Sequence, residues 1–308
     1  MRAIRLANSV VDAVLLVAVL FLLAIGCYAL WDSDQVSRAA DATQYQIFKP
    51  SDEIGELSFQ ELQAINPEVF AWLSVYGTNI DYPVVHSDDD FKYVNTNAKG
   101  EYSLSGAIFL SSGCSKDFAD FSSIINGHHM EKKRMFGEIG LFSEKKYFDD
   151  RRYGNLFYQG REHGIQFFAF LHADAYNYAV FRTKIEGEEA QQDYLDLLLS
   201  LATHTREVKV SAGDRIVLLA TCSSASTNGR DILVGKITDE VYENTFLDDA
   251  SNSRNGVDAL SGLWTQSPFW VKMVAIAIPL FFLVVLFFAL RKKRSRLKGS
   301  PPKDNEQE

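Results

Sequence analysis

Two apolar runs, residues 10–30 and 271–290, exclude most of the folds otherwise open to this 308-residue chain. Each holds about 20 residues, the length of helix that crosses a bilayer. Asp12 is the only charge in the first run, and Arg2 and Arg5 precede it. Lys272 and Pro279 lie in the second, which Arg291-Lys292-Lys293-Arg294-Ser295-Arg296-Leu297-Lys298 follows. A lysine near a run's edge snorkels to the interface, and proline is tolerated in a membrane helix. With basic residues outside both runs, the positive-inside rule places both termini in the cytoplasm and the middle outside. A cleaved signal peptide fits less well, because no small-x-small site follows the first run. So does lipoprotein processing at Ala24-Ile25-Gly26-Cys27, where alanine replaces the usual leucine.

Only the middle of the chain is left to build a core. Both flanks are net basic, so that middle is more acidic than the chain's overall −9. Such a surface suits solubility outside a cell and argues against nucleic acid as a partner. The cysteines are Cys27, Cys114 and Cys222, and the first falls in a membrane run. At most one disulfide remains, which is not the framework of a stapled secreted fold. A core of roughly 190 residues needs none. The expected organisation is a cytoplasmic N-terminus (1–9), a membrane helix (10–30), a polar stalk (31–57), a folded domain (58–247), a linker rich in Asp, Asn, Ser and Gly (248–269), a second membrane helix (270–290) and a basic cytoplasmic tail (291–308).

Within the folded domain, Ser58-Phe59-Gln60-Glu61 has the form of a capping box, and Asn66-Pro67-Glu68 restarts or continues that helix ahead of Phe70, Trp72 and Leu73. Short strands follow at residues 80–85, 107–110, 123–125, 155–158, 165–173 and 179–185, separated by glycines and Asp/Asn/Ser clusters. One helix interrupts them at 188–201, with Tyr194, Leu197, Leu198 and Leu201 as its apolar stripe and acidic residues in its first turn. Strands at 215–221 and 230–237 complete a mostly β domain with accessory helices, an antiparallel barrel or sandwich.

The chemistry gathers at the last two strands. The apolar run Leu218-Leu219-Ala220-Thr221 ends in Cys222, and Arg230 opens the next apolar run. In an antiparallel hairpin these two residues face each other across the mouth. A thiol beside a guanidinium is a candidate nucleophile with its charge stabiliser, provided a base lies nearby. Ile125-Asn126-Gly127-His128-His129-Met130 offers one upstream. His86, His163, His172 and His204 are scattered and read as structural or solvated. No His-Glu-x-x-His, Cys-x-x-Cys or calcium-loop pattern appears, so neither a metal nor a cofactor is implied. Asp88-Asp89-Asp90 and Asp248-Asp249 read as solvated loops.

Together these stretches resemble the sortases, the extracytoplasmic cysteine transpeptidases of Gram-positive bacteria, and within them class B, over roughly residues 58–240. Ile65-Asn66-Pro67-Glu68-Val69-Phe70-Ala71-Trp72 with Gly77-Thr78-Asn79-Ile80-Asp81-Tyr82-Pro83-Val84-Val85 is similar to the class B N-terminal region. Gly127-His128-His129-Met130 with Met135-Phe136-Gly137 resembles the histidine motif, and the helix at 188–201 resembles a class B insertion. Ala220-Thr221-Cys222 with Arg230 resembles the Thr-x-Thr-Cys and arginine pair, although Leu218 and Asn126 stand where threonine and tyrosine are usual.

The resemblance implies a sortase-like antiparallel β-barrel, which the two apolar runs flank with transmembrane helices in a two-pass topology, unlike the single N-terminal anchor of wall-housekeeping class B enzymes. It implies Cys222 as nucleophile, His128 as acid and base, and Arg230 as oxyanion or backbone holder. His128 is preferred to His129 because it directly follows Gly127, and neighbours on a strand face opposite ways. Thr221 and Ser223 flank the nucleophile and offer a hydroxyl or backbone N–H to the substrate, though both residue types are common there for structural reasons. The implied partners are the membrane, a sorting-signal peptide of a surface protein or pilin, and an amine acceptor. That acceptor is a pilin lysine or a cell-wall precursor, and the C-terminal membrane run leans toward the pilin. A Cys114–Cys222 disulfide would silence such a site. A peptidase resolving the thioester with water fits the same residues, and a scaffold or sensor would be marked by a lost triad member.

Overall fold

The computed structural model describes residues 2–50, 57–222, 228–246, 271 and 275. The chain divides into two compact units, one of which begins at Gln35 and the other of which holds the helix up to Asp34. Helix α1 spans Arg2–Ala39, well beyond the apolar run. Val17, Phe21 and Leu22 are about two-thirds exposed, so its apolar side chains find no protein core. Among the described residues it is the one helix long and apolar enough to cross a membrane. The second apolar run lies almost wholly outside the described residues, as does the 248–269 linker.

The stretch read as a stalk is not all polar tether. Residues Ala42–Phe48 form a 3-10 helix that buries Tyr45 and Phe48. Gln46 Nε2 and Lys49 Nζ bind the carboxylate of Asp81, which also accepts from Trp72 Nε1 and Ser74 Oγ. Two aromatic anchors and a shared carboxylate thus hold this segment to the domain, and neither shows as periodicity. Ser58 lies inside helix α2 (Leu57–Ile65) rather than ahead of it, with its hydroxyl on Lys49 O.

The domain is a β-barrel. Its strands are β1 (Val69–Val75), β2 (Asp81–His86), β3 (Ile108–Leu110), β4 (Ser122–Asn126), β7 (Tyr153–Tyr158), β8 (Arg161–Asp174), β10 (Arg215–Cys222) and β11 (Gly229–Thr238). They run in the order β11-β10-β4-β3-β2-β1-β7-β8, and β8 pairs β11 to close the ring. A short hairpin of β5 (His129–Met130) and β6 (Arg134–Met135) stands apart, and β9 (Ala202–Thr205) adds to β8. Helix α3 (Lys145–Asp150) precedes β7. The barrel is not wholly antiparallel: β2–β3 and β4–β10 are parallel, each joined by a connection long enough for a crossover.

Strand β10 shows why its run is apolar without alternation. Val217 and Leu219 pack into the barrel interior with Trp72, Phe167 and Leu233. Ile216, Leu218 and Ala220 pack outside, beneath helix α4 (Glu188–Leu201), with Tyr194, Leu198 and Ile232. Both faces are buried, so both must be apolar. The helix has the boundaries expected of it, but Leu195 is buried in place of Leu201, which is exposed.

Two expected elements differ. The helix expected to restart or continue at Asn66-Pro67-Glu68 does not: Val69–Val75 forms β1 between β2 and β7, with six of its seven side chains buried. Asn66 ends α2 by taking Glu68 N–H on its side chain. Residues 179–185, read as strand, form no strand because β9 takes the edge of β8 instead. Val180 and Ile185 still bury in the outer core, where the Tyr194 hydroxyl donates to Val180 O at 2.5 Å.

Candidate active site

Cys222 is the last residue of β10 and is exposed. The antiparallel register with β11 pairs it directly with Arg230. On the other flank β4 runs parallel, pairing Ala220 with Asn126, and Gly127 N–H donates to Ala220 O at 3.1 Å. Strand β4 ends at Asn126, and His128 follows two residues on, in the connection to β5. The ends of β4 and β10 and the start of β11 thus bring the segment that leads into His128, Cys222 and Arg230 to one end of the barrel.

Local packing fixes each of them. A Cβ on Gly127 would come 2.5 Å from Ile108 and 2.8 Å from Phe136, so only glycine lets the chain pass tightly there before His128. The His128 backbone carbonyl accepts from Phe136 N–H, which ties it to the β5–β6 hairpin. Its ring Nε2 lies 2.8 Å from Val94 O. A carbonyl only accepts, so Nε2 carries the hydrogen and Nδ1 is left as the proton-exchanging atom. His129 begins the hairpin, and its buried Nδ1 has no partner among the described residues. Arg230 is half-buried, and its guanidinium donates to Gly229 O at 3.2 Å.

Thr221 is 2 % exposed and shares a face with Asp231, the interior side opposite Cys222. Its side chain therefore lies on the face opposite the thiol. Ser223 lies outside the described residues. The sequence offers no signal that singles out Asp231, and His172 reads there as structural or solvated; their side chains pair at 2.6 Å just beneath the site.

Cys114 and Cys222 are both free. Cys114 is buried, and its sulfur accepts Ile124 N–H at 3.5 Å. Ile124 pairs Leu218, so the second thiol is four residues, about 13 Å, further along the strand. That is beyond disulfide reach. Burial pushes the Cys114 thiol up to about 11, so it stays protonated and unreactive at neutral pH.

No family model matches the chain. Sortase B from the type II pilus of Streptococcus pneumoniae is 46% identical, with a TM-score of 0.52 over 59% of this chain and 99% of that one. A Streptococcus pyogenes class B sortase involved in pilus biogenesis is 34% identical, with a TM-score of 0.54 over 58% of this chain and 97% of that one. Listeria monocytogenes sortase B is 28% identical over 182 residues, 58% of this chain and 73% of its own length. The eight-stranded barrel, the helix between β8 and β9, and identity of this level over nearly whole solved domains lead to one assignment: the chain belongs to the class B sortases, which are cysteine transpeptidases.

Proposed function

We propose that this sortase works from the membrane, with Cys222 as nucleophile, His128 as acid and base and Arg230 as the charge that steadies the oxyanion. The observation that carries the reading is the register at the end of β10, where Arg230 faces Cys222 on one side and the Gly127–His128 segment lies along the other. The Cys222 thiol gives its proton to His128 Nδ1, and the sulfur adds to the carbonyl carbon of the sorting peptide's scissile bond. As the tetrahedral species collapses, the C–N bond breaks and the leaving amine takes a proton from His128, leaving a thioester. An incoming amine then loses a proton to His128, attacks the thioester carbon and displaces the thiolate. Arg230 is always charged and offers a planar fork of donors, which suits an oxyanion or a peptide backbone.

The N-terminal helix and the basic-flanked C-terminal run support a two-pass anchor with both termini cytoplasmic and the barrel outside. For the acceptor the reading leans to a lysine on a pilin subunit. The C-terminal apolar run favours it, and so do the pilus settings of the two streptococcal relatives. Transfer to a cell-wall precursor is the second reading, since the chemistry is the same. The test uses the full chain in detergent with a panel of sorting-motif peptides and two amines, a pilin-derived lysine peptide and a wall-precursor peptide. The pilin reading expects ligation to the lysine peptide and none in a Cys222→Ala variant. Ligation to the wall-precursor peptide alone moves the enzyme to wall anchoring, and release by water alone makes it a peptidase.

A further inference from the structure

We infer that His172 and Asp231 form a positioning pair that aims Arg230 at the substrate; the inference rests on the role proposed for Arg230. Asp231 is the residue after Arg230 and is 2 % exposed. One carboxylate oxygen sits 2.6 Å from His172 Nδ1. The other lies against Gly140, where a Cβ would come within 2.8 Å of it. His172 is the register partner of Asp231 on β8, and its side chain is 47 % exposed, so among the described residues the buried carboxyl has its one ionisable partner at the solvent boundary. The pair stitches β11 to β8 at the point where β11 begins.

Strand geometry turns this stitch into an orientation. Side chains alternate, so Asp231 held inward obliges Arg230 to face outward, toward Cys222. A one-residue slip would exchange the two, bury the guanidinium and expose the carboxylate. The arrangement also keeps the adjacent carboxylate out of the guanidinium's reach. Among the described residues Arg230 has no carboxylate partner, and its donors are left for an oxyanion or a peptide carbonyl. A carboxylate on the outer face would compete for those donors.

The test compares His172→Phe, which removes the Nδ1–H, with His172→Asn, which places an amide N–H near the same point, in the full chain in detergent. Asp231→Asn is the second probe should His172→Phe fail to fold. The expected result is a loss of about ten-fold or more in kcat with little change in KM for His172→Phe, and recovery to within about three-fold for His172→Asn. In an Arg230→Ala background the His172→Phe change should cost nothing further, because the residue through which it acts is gone. Phenylglyoxal labelling of Arg230, followed by peptide mapping, reads the orientation without any turnover. Its rate should rise by about three-fold or more in the folded His172→Phe or Asp231→Asn protein while other arginines keep theirs. An inactive wild type with that labelling change would sink the transpeptidase reading and keep the pair. Unchanged Arg230 labelling, or equal losses with and without Arg230, would overturn the pair's role.

Discussion

The two ends of the barrel make opposite use of similar materials. At the end where β1 begins lies a cleft of about 670 Å³, lined among others by Phe59, Phe70, His86, Cys114, Lys116 and Phe157. It holds a thiol, an imidazole and a cation, the same inventory as the end with Cys222, His128 and Arg230. Yet Cys114 is buried with its thiol pushed up to about 11, and the His86 ring is taken by Cys114 O at 3.1 Å. At the other end the thiol is exposed, the imidazole keeps one nitrogen free and the guanidinium lacks a carboxylate among the described residues. On the proposed reading, neither the presence of a cleft nor the residue types decide where chemistry happens. What decides is which polar groups the fold leaves uncommitted.

The largest effect expected from this contrast is on turnover. Cys222→Ala should abolish transpeptidation, a loss of about a thousand-fold or more, whereas Cys114→Ala should keep activity within about three-fold. Comparable losses at both positions would erase the distinction between the ends. Next comes Gly127→Ala, whose Cβ would collide with Ile108 and Phe136. Displacing His128 by about 1 Å should cost about a hundred-fold in kcat, without a matching drop in melting temperature. Thiol chemistry sharpens the comparison further. At pH 8 iodoacetamide should label Cys222 in the native protein and leave Cys114 intact until denaturant is added, as peptide mapping would show.

The smallest effect belongs to the far end. His163 is 1 % exposed, stacked 4.0 Å from the Tyr158 ring, and both its ring nitrogens lack side-chain or backbone partners among the described residues. Burial, helped by the charges of Arg161 and Arg215, holds it below its ordinary value of 6.5. The unfolded chain therefore takes up the proton first, so stability is full above 6.5 and falls as the pH drops below it. Denaturation of the His163→Phe variant between pH 7 and 5 should show a flatter decline than wild type. Parallel curves would mean that His163 has no part in the acid response.

The hairpin of β10 and β11 and helix α4 were legible in the sequence because their information is local. An apolar run ends in Cys222, a polar loop follows, Arg230 opens the next run, and acidic residues mark the helix start. Strand β1 was not legible, since Val69 to Val75 is buried on both faces and so lacks alternation, and it follows a proline that also opens helices. The 3-10 helix at Ala42–Phe48 escaped because only Tyr45 and Phe48 anchor it. The parallel β4–β10 pairing, which sets the Gly127–His128 segment beside the hairpin, joins segments some ninety residues apart. The His172–Asp231 pair is equally non-local. Of the residues singled out around the thiol, Cys222 and Arg230 meet in register, while Thr221 turns inward.

The most direct test is to trap the acyl-enzyme. The full chain in detergent is incubated with a sorting-motif peptide without an amine, quenched in acid and mapped by mass spectrometry. The expected result is a thioester on the Cys222 peptide alone, discharged when the amine is added. An adduct on Cys114, or none while Cys222 still alkylates freely, would contradict it.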